Sequence, residues 1–225
     1  MDIKRVLAEA LPQLLTGMGM TVQVTIISLA IALVLGFLLC LCGIAKAWIL
    51  RAINKIYLAL IRGTPLIVQA MFIYFGIPQL LQTWFPDFRL AVYPASIIIL
   101  SLNAAAYISE YFRGGIISVP YGQIEASRSL GLTYGRTMLK VVLPQAFRVA
   151  LPSLVNQLII TLKDTSILQA IALTEIVYYA KIYTGRTMES FATWTVVGIM
   201  YLVVITILSS LAGVLERRLD HEKNG

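Results

Sequence analysis

The sequence predicts an all-α, polytopic membrane protein with five transmembrane helices. Composition is the first reason: 59% of the 225 residues are hydrophobic, 13% are charged, and the mean hydropathy is +0.83. So few polar side chains cannot cover a folded surface in water, whereas a lipid bilayer suits such a chain. The second reason is that the apolar residues form separate segments of about 20 residues, the length that a helix needs to cross the hydrocarbon core.

Five apolar segments follow one another along the chain and are interpreted as one membrane domain, residues 16–216. They are residues 17–42, 65–81, 92–112, 151–173 and 192–215. The fourth is the least typical, because it contains Lys163 and Asp164, and charged side chains are costly inside a bilayer. Ahead of the first segment, residues 1–15 repeat apolar side chains at helical spacing, which predicts a short amphipathic helix on the outer interface.

The basic residues alternate between connecting segments and predict the orientation of the chain. Two connections and the tail, residues 217–225, are rich in Lys and Arg, whereas the connections after the second and fourth spans have few. Because positive residues favour the cytoplasmic side, we expect the N-terminus outside and the C-terminus in the cytoplasm. The two rich connections contain Lys46, Arg51 and Lys55, and then Arg113, Arg128, Arg136, Lys140 and Arg148.

Composition also argues against several other classes of protein. The net charge of +7 comes from short, separated basic groups without interleaved aromatic residues, so nucleic acid is not an expected partner. Cys40 and Cys42 lie in an apolar run, where small buried side chains are the better interpretation than a metal or redox site. His221 is the only histidine, which excludes a histidine metal cluster or a catalytic triad. The sequence does not predict an enzyme.

The longest polar connection, residues 118–144, contains residues that typically begin and end helices, and they predict two short helices. Pro120 suits the first turn of one helix, and Gly131 is placed to end that helix in a left-handed cap. Thr133 can then cap a second helix that runs toward Pro144. This helix-turn-helix elbow has two interpretations that the spacing does not separate: a surface gripped by a partner protein, or an ordinary amphipathic connector.

The residues of this elbow resemble a known motif. Glu125-Ala126-Ser127, then Gly131, Val141 and Leu143-Pro144 are similar to the EAA loop of ATP-binding-cassette (ABC) importer permeases, with Ser127 in place of the usual second alanine. The resemblance implies a type I ABC importer transmembrane domain whose coupling helices sit in a groove of an ATPase subunit. The coupling residues that it implies are Glu125, Ala126, Ser127, Arg128, Gly131, Arg136 and Pro144.

Two further motifs resemble the polar-amino-acid branch of that superfamily: Arg62-Gly63-Thr64-Pro65-Leu66 in the second span and Leu162-Lys163-Asp164-Thr165-Ser166 in the fourth. The resemblance implies a bacterial inner or plasma membrane location and amino-acid import. It also implies three protein partners, namely an ATPase dimer, a second permease copy or paralogue, and an extracytoplasmic amino-acid-binding protein. No Walker A sequence occurs in the chain, so ATP and Mg²⁺ are expected on the ATPase partner, and no cofactor is expected on this chain.

Polar residues near the predicted bilayer midplane are the candidate substrate pathway. At about 1.5 Å per residue, Lys163 lies about 16 Å along the fourth span, and Asn103 reaches a similar depth in the third. A carboxylate there could attract the ammonium group of an amino acid, with hydroxyls and amides binding its polar groups. The alternative is that these residues only hold helices together. The pathway candidates are Gln69, Asn103, Tyr107, Lys163, Asp164, Thr165 and Ser166.

Two rival functions belong to other classes. An ion-gradient secondary transporter would favour paired half-molecule repeats and broken helices in corresponding positions, and neither is evident in the sequence. A non-transporting membrane scaffold would explain the elbow but would leave the midplane polar residues without a purpose.

Overall fold

The computed structural model describes residues 3–221, apart from the side chains of Ala212 and of residues 214–221, and its regular structure within this part is helical. The all-α prediction is confirmed. In chain order the helices are α1 (Ile3–Glu9), α2 (Leu11–Ile44), α3 (Trp48–Arg62), α4 (Leu66–Leu81), α5 (Val92–Ile117), α6 (Tyr121–Ser129), α7 (Tyr134–Ile171), α8 (Ile176–Thr187) and α9 (Ser190–His221).

Four of the described helices are long and apolar enough to cross a membrane. A fifth span arises if α3 and α4, which meet at a bend of 105°, count as one broken span. The bend occurs at Gly63 and Pro65, which cap the end of α3 and the start of α4. The side-chain amide of Gln69 donates to the carbonyl oxygens of Ile61 at 2.7 Å and of Thr64 at 3.0 Å, so carbonyls left open by the break have partners.

The centre of the bundle is the contact between α2 and α5. Small residues line it, and a Cβ built on Gly36 would lie 2.6 Å from the Ile108 side chain. Helices in lipid gain little from the hydrophobic effect, so close approach and interhelical hydrogen bonds hold them together. The Ser101 hydroxyl accordingly donates to the Ser28 carbonyl at 3.2 Å, and Ser28 donates to the Ile97 carbonyl at 3.4 Å.

Helix α7 differs from the sequence prediction. We expected the elbow to end near Pro144 and a separate span to begin at Leu151, but one helix runs without interruption from Tyr134 to Ile171. Its helical turns widen into a π-helix at Met138–Val142, just before Pro144, and α4 has the same feature at Phe72–Gly76, just before Pro78. A wider turn relieves the clash between a proline ring and the preceding carbonyl, so the helix continues.

Other helix ends also extend beyond the expected spans. Helix α2 begins at Leu11, with Pro12 in its first turn, and α3 and α8 lie where the sequence predicts connections. The short N-terminal helix is present as α1, and Val6 packs against α8 and α9. The expected tail, residues 217–225, begins inside α9. Residues 222–225 and the side chains of Arg217 and Arg218 lie outside the described part of the chain.

Candidate functional site

A cleft of about 390 Å³ lies between the start of α4, the middle of α5 and the C-terminal half of α7. This volume is within the range of small-molecule sites. Polar groups and apolar side chains are mixed on its walls, as a site for a small polar solute requires. The lining residues are Thr64, Pro65, Leu66, Asn103, Tyr107, Tyr111, Gln157, Ile160 and Asp164.

Helical spacing explains how two chain segments supply most of this lining. On α5, residues 103, 107 and 111 are four apart, and on α7, residues 157, 160 and 164 are three or four apart. Side chains at these spacings share one helix face, so two polar stripes face each other across the cleft. The Tyr111 hydroxyl donates to the Gln157 side-chain oxygen at 3.2 Å and joins the two stripes.

Gln69 lies behind the cleft and reaches it through Asn103. The Asn103 side-chain nitrogen donates to the Gln69 side-chain oxygen at 3.0 Å, and Gln69 itself is only 7% exposed. Because the Gln69 nitrogen bonds to carbonyls of the α3–α4 bend, Asn103 is linked to that bend. The structure therefore makes Gln69 a support for the cleft wall rather than part of the wall.

Asp164 is the only acidic side chain among the residues that line the cleft. It is half-buried, and within the described residues its carboxylate forms no ion pair or side-chain hydrogen bond. A carboxylate accepts hydrogen bonds from cationic or neutral donors. The cleft therefore offers an open acceptor for a positively charged group.

The neighbours of Asp164 point elsewhere. Lys163 and Ser166 line a different groove, which they share with Trp194 and Tyr201 of α9. Thr165 is fully buried and donates to the Leu162 carbonyl at 2.7 Å. Successive helix positions diverge by about 100°, so residues adjacent in sequence face different surroundings. Of the predicted pathway residues, the structure brings together Asn103, Tyr107 and Asp164 around one cleft.

Charged residues surround Tyr107 on the side of the bend. The Arg62 guanidinium lies 5.8 Å from the centre of the Tyr107 ring and 3.5 Å from the Glu110 carboxylate. Arg113 binds the same carboxylate through two nitrogens, each at 2.8 Å. The Arg62–Tyr107 contact has no signal in the sequence, because it depends on how the end of α3 packs against α5.

The elbow is formed by α6 and the first turns of α7. Gly131 has φ +84°, and the left-handed cap predicted there is confirmed. The backbone N–H of Leu132 donates to the Ser127 carbonyl oxygen at 3.2 Å, and the backbone N–H of Gly131 donates to the Arg128 carbonyl oxygen at 3.0 Å. This pair of hydrogen bonds is the Schellman motif of a helix end. Pro120 stands one position ahead of α6 rather than in its first turn, and Thr133 occupies the N-cap position of α7.

The implied coupling residues divide into an inner and an outer set. Ser127 is only 4% exposed, and its hydroxyl donates to the Thr137 hydroxyl at 3.1 Å. This buried hydrogen bond joins α6 to the first turn of α7. Leu130 and Leu139, which are not among the implied coupling residues, are 84% and 68% exposed although both are apolar. The other coupling candidates are all exposed: Glu125, Ala126, Arg128, Gly131, Arg136 and Pro144.

Comparison with known proteins identifies related chains. Residues 32–221 match the family described as "Binding-protein-dependent transport system inner membrane component". The arginine transport system permease ArtQ of Bacillus subtilis is 36% identical over 93% of both chains. The glutamine transport system permease GlnP of Escherichia coli is 35% identical over 93% of this chain and 94% of its own.

Solved structures also share the fold. An amino acid ABC transporter crystallised with histidines matches with a TM-score of 0.88 and 30% identity, over 97% of this chain and 99% of that one. The MetNI methionine ABC transporter matches with a TM-score of 0.74 over 93% of this chain and 97% of that one. The second similarity, at 19% identity, concerns the fold alone.

Proposed function

Because the chain belongs to the family of binding-protein-dependent transport system inner membrane components, we propose that it carries a polar or charged amino acid across the membrane by alternating access, driven by a separate ATPase. Members of this family are the membrane-embedded permease subunits of ABC importers, and they are not enzymes. The observation that carries the proposal is the cleft between α4, α5 and α7, with the open carboxylate of Asp164 on its wall.

The substrate class follows from the chemistry of the cleft and from the relatives. The relatives are named for arginine, glutamine and L-cystine, all of which have an ammonium and a carboxylate on one carbon atom. In our proposal the ammonium group binds Asp164, and the amides and phenols on the facing stripes bind the other polar groups. Arg62, beside Tyr107, supplies positive charge near the same cleft for the substrate carboxylate.

The driving force in this proposal comes from an ATPase dimer that binds ATP and Mg²⁺ and docks on the elbow. Leu130 and Leu139 are exposed apolar side chains on the same elbow as exposed charged groups such as Glu125 and Arg136, and a protein interface typically combines an apolar centre with a polar rim. Closure of the ATPase dimer would pull on two elbows, one from this chain and one from a second copy or a paralogue.

The remaining partners complete the assembly that we propose. An extracytoplasmic binding protein delivers the amino acid to the outer face, where the N-terminus lies, and the elbow and the C-terminus are cytoplasmic. The distribution of Lys and Arg supports this orientation, because the elbow contains Arg128, Arg136 and Lys140.

Uptake of radiolabelled amino acids by reconstituted vesicles tests the proposal. The complete complex should import only with ATP, and Asp164→Asn should weaken transport because the neutral amide attracts an ammonium group less strongly. Asp87→Asn, which neutralises an exposed carboxylate remote from the cleft, is the matched control. Uptake that needs an ion gradient but no ATP would favour a secondary transporter, and no uptake under either condition would favour a scaffold.

A further inference from the structure

Glu175 is a buried carboxyl group that the proposed transport step does not use. It lies in the connection between α7 and α8, which belongs to none of the described helices that are long and apolar enough to cross a membrane, and its exposed fraction is 0%. It occupies the N-cap position of α8, where one carboxyl oxygen, Oε1, accepts a hydrogen bond from the backbone N–H of Tyr178 at 2.8 Å. Helix capping therefore accounts for one of its two oxygens.

The second oxygen faces other polar atoms that also lack ordinary partners. Among the described residues, Glu175 Oε2, Tyr201 Oη and Thr21 Oγ1 are buried without a hydrogen-bond partner at ordinary length. The three atoms lie together, because the Tyr201 hydroxyl is adjacent to the carboxyl of Glu175 and to the hydroxyls of Thr21 and Thr165. Buried polar atoms without close partners are rare, and they are costly unless a proton or a small rearrangement satisfies them. We call these four residues the Glu175 cluster.

The Glu175 cluster joins three helices at a tightly packed point. Thr21 belongs to α2, Thr165 to the C-terminal segment of α7 and Tyr201 to α9. One turn before Thr21, a Cβ built on Gly17 would lie 2.7 Å from the backbone of Ile176, so α2 touches the main chain beside Glu175. Ala172, with φ +65°, closes the turn between α7 and Glu175 in a left-handed conformation that a residue with a Cβ rarely adopts.

The cluster is also next to the cleft. Thr165 directly follows Asp164 in α7, where the helix tightens into 3₁₀ geometry from Thr165 to Ile171. Contacts that hold Thr165 therefore determine where Asp164 stands. Through this segment, the Glu175 cluster can influence the cleft without touching the substrate.

The neighbouring charged groups are directed away from the Glu175 carboxyl. Lys163 faces the groove that the ring of Tyr201 also lines, and Asp164 faces the cleft. On α8, the Lys181 ammonium donates to Gln169 at 2.9 Å, and the Tyr183 hydroxyl donates to Glu9 at 3.1 Å. Of the titratable side chains in the described part of α2, α7, α8 and α9, Tyr201 is the one that interacts with Glu175.

We propose that Glu175 is a positioning residue that binds and releases a proton, and that its protonated form latches the 165–171 segment, and with it Asp164, between α2 and α9. In the buried arrangement, the proton on Oε2 removes the uncompensated charge from the protein interior. When the proton leaves to water, the carboxylate needs solvation, and the cluster opens to provide it.

The direction of the pH effect follows from burial. Burial raises the pKa of the Glu175 carboxyl to about 7 from its ordinary value of 4.5, although the backbone N–H groups of Val177 and Tyr178 favour the anion. A carboxyl whose pKa is raised by folding stabilises the folded form fully below pH 4.5, and this contribution is lost as the pH rises through about 7. The latch is therefore closed on the acid side of about pH 7 and open on the alkaline side.

An infrared pH titration of the purified complete complex tests proton binding without requiring transport. The carbonyl stretch of a protonated carboxylic acid should disappear with a midpoint near pH 7 in the wild type and should be missing from Glu175→Gln. Glu189→Gln makes the same chemical change near the start of α9 and should keep the band. If no band titrates near pH 7, or if Glu175→Gln keeps it, the latch is wrong, whether or not the complex transports amino acids.

Tyr201→Phe separates a latch from a simple helix cap. The hydroxyl of Tyr201 favours the Glu175 anion, so its removal should move the infrared midpoint to higher pH. Tyr183→Phe, whose hydroxyl binds Glu9 instead, should leave the midpoint unchanged. A group that only caps α8 through Oε1 would titrate equally in both variants, and that result would overturn the role of the cluster.

The functional effect rests on the proposed function and is measured separately. The rate of ATP-dependent uptake should fall severalfold in the wild type as the pH rises through about 7, whereas Glu175→Gln should lose this step, because Gln cannot ionise. Parallel pH profiles of the two proteins would overturn the link to Asp164. Absence of uptake in every variant would count against the transport proposal instead, since the infrared band tests the proton site alone.

Discussion

At the scale of single residues, the surroundings of a polar side chain decide its role more than its position in a motif. Lys163, Asp164 and Thr165 are consecutive, yet they face a groove, a cleft and a buried cluster respectively. Gln69 is a similar case. It was predicted to line the substrate pathway, but its amide supports the α3–α4 bend and binds Asn103 behind the cleft wall.

Replacing Gln69 with leucine should therefore destabilise the protein more than it changes substrate choice. The variant leaves the carbonyls of Ile61 and Thr64 and the amide of Asn103 without their partners, and each such loss costs about 1–3 kcal/mol when the group stays buried. Thermal unfolding of the purified complex measures the effect. Gln79→Leu, an exposed position on the same helix, is the control and should unfold like the wild type. Equal unfolding temperatures for both variants would contradict this role of Gln69.

Several residues of the cleft could be predicted from the sequence, but which of them face the same cavity could not. Depth along a helix can be counted from the sequence, which is why Asn103 and Lys163 were expected at a similar level. The facing direction of Thr165 and the contact of Arg62 with Tyr107 depend on how helices rotate and bend against one another. Glu175 was missed because nothing in its local sequence signals that residues 21 and 201 meet it.

At the scale of helices, close crossings are set by single small residues. A Cβ built on Gly115 of α5 would lie 2.3 Å from the Ala146 carbonyl oxygen of α7, whereas one built on Gly114 would meet nothing within 4 Å. Adjacent glycines thus have different tasks: Gly115 permits the crossing near the elbow, and Gly114 faces open space.

Gly115→Ala should push α5 and α7 apart. The added methyl group meets backbone, which cannot rotate away, and overpacking of this kind typically costs about 1–3 kcal/mol. Gly114→Ala is a stringent control, because alanine is favoured over glycine in a helix by about 0.5–1 kcal/mol and has space there. Unfolding temperatures and yields of the two variants after membrane extraction should differ in opposite directions from the wild type. A Gly115→Ala protein as stable as the Gly114→Ala protein would refute the crossing.

Helix α1 depends on a charge interaction outside the membrane-spanning segments. Arg5 donates to Glu9 at 2.9 Å and Tyr183 of α8 donates to the same carboxylate at 3.1 Å, and these hydrogen bonds hold the pKa of Glu9 below its ordinary 4.5. A carboxylate with a depressed pKa contributes stability that is present above its unfolded pKa and lost as the pH falls through its folded pKa. Acid should therefore loosen the attachment of α1 to α8.

A spin label at Lys4→Cys reports this loosening as increased mobility. The label in the otherwise wild-type protein should become more mobile when the pH falls below 4.5, while the label combined with Glu9→Gln should be mobile at both pH values. A label that is equally restrained in the Glu9→Gln protein would mean that the burial of Val6 against α8 and α9 holds α1 without the charge.

At the scale of the whole molecule, α7 connects the two candidate sites directly. The elbow occupies its first turns and Asp164 lies 30 residues beyond Tyr134, which corresponds to about 45 Å of helix at about 1.5 Å per residue. The sequence predicts two separate helices here, because a proline such as Pro144 usually ends a helix and the π-helix that accommodates it has no evident sequence signal. An uninterrupted helix transmits a displacement of the elbow to the cleft with little loss.

Reversing the charge at the elbow should therefore disable transport without disturbing the cleft. Glu125→Arg reverses an exposed charge on α6, the helix that ends just before the exposed residue Leu130, and it should weaken ATPase docking because the interface rim then presents the wrong charge. We expect loss of the co-purified ATPase and of ATP-dependent uptake, with membrane insertion and thermal unfolding of the permease unchanged. Asp87→Arg makes the same reversal at an exposed position in the connection between α4 and α5 and should retain the ATPase. If Glu125→Arg retains both the ATPase and normal uptake, the partner must grip another surface, and α7 cannot be the connection between ATP hydrolysis and the cleft.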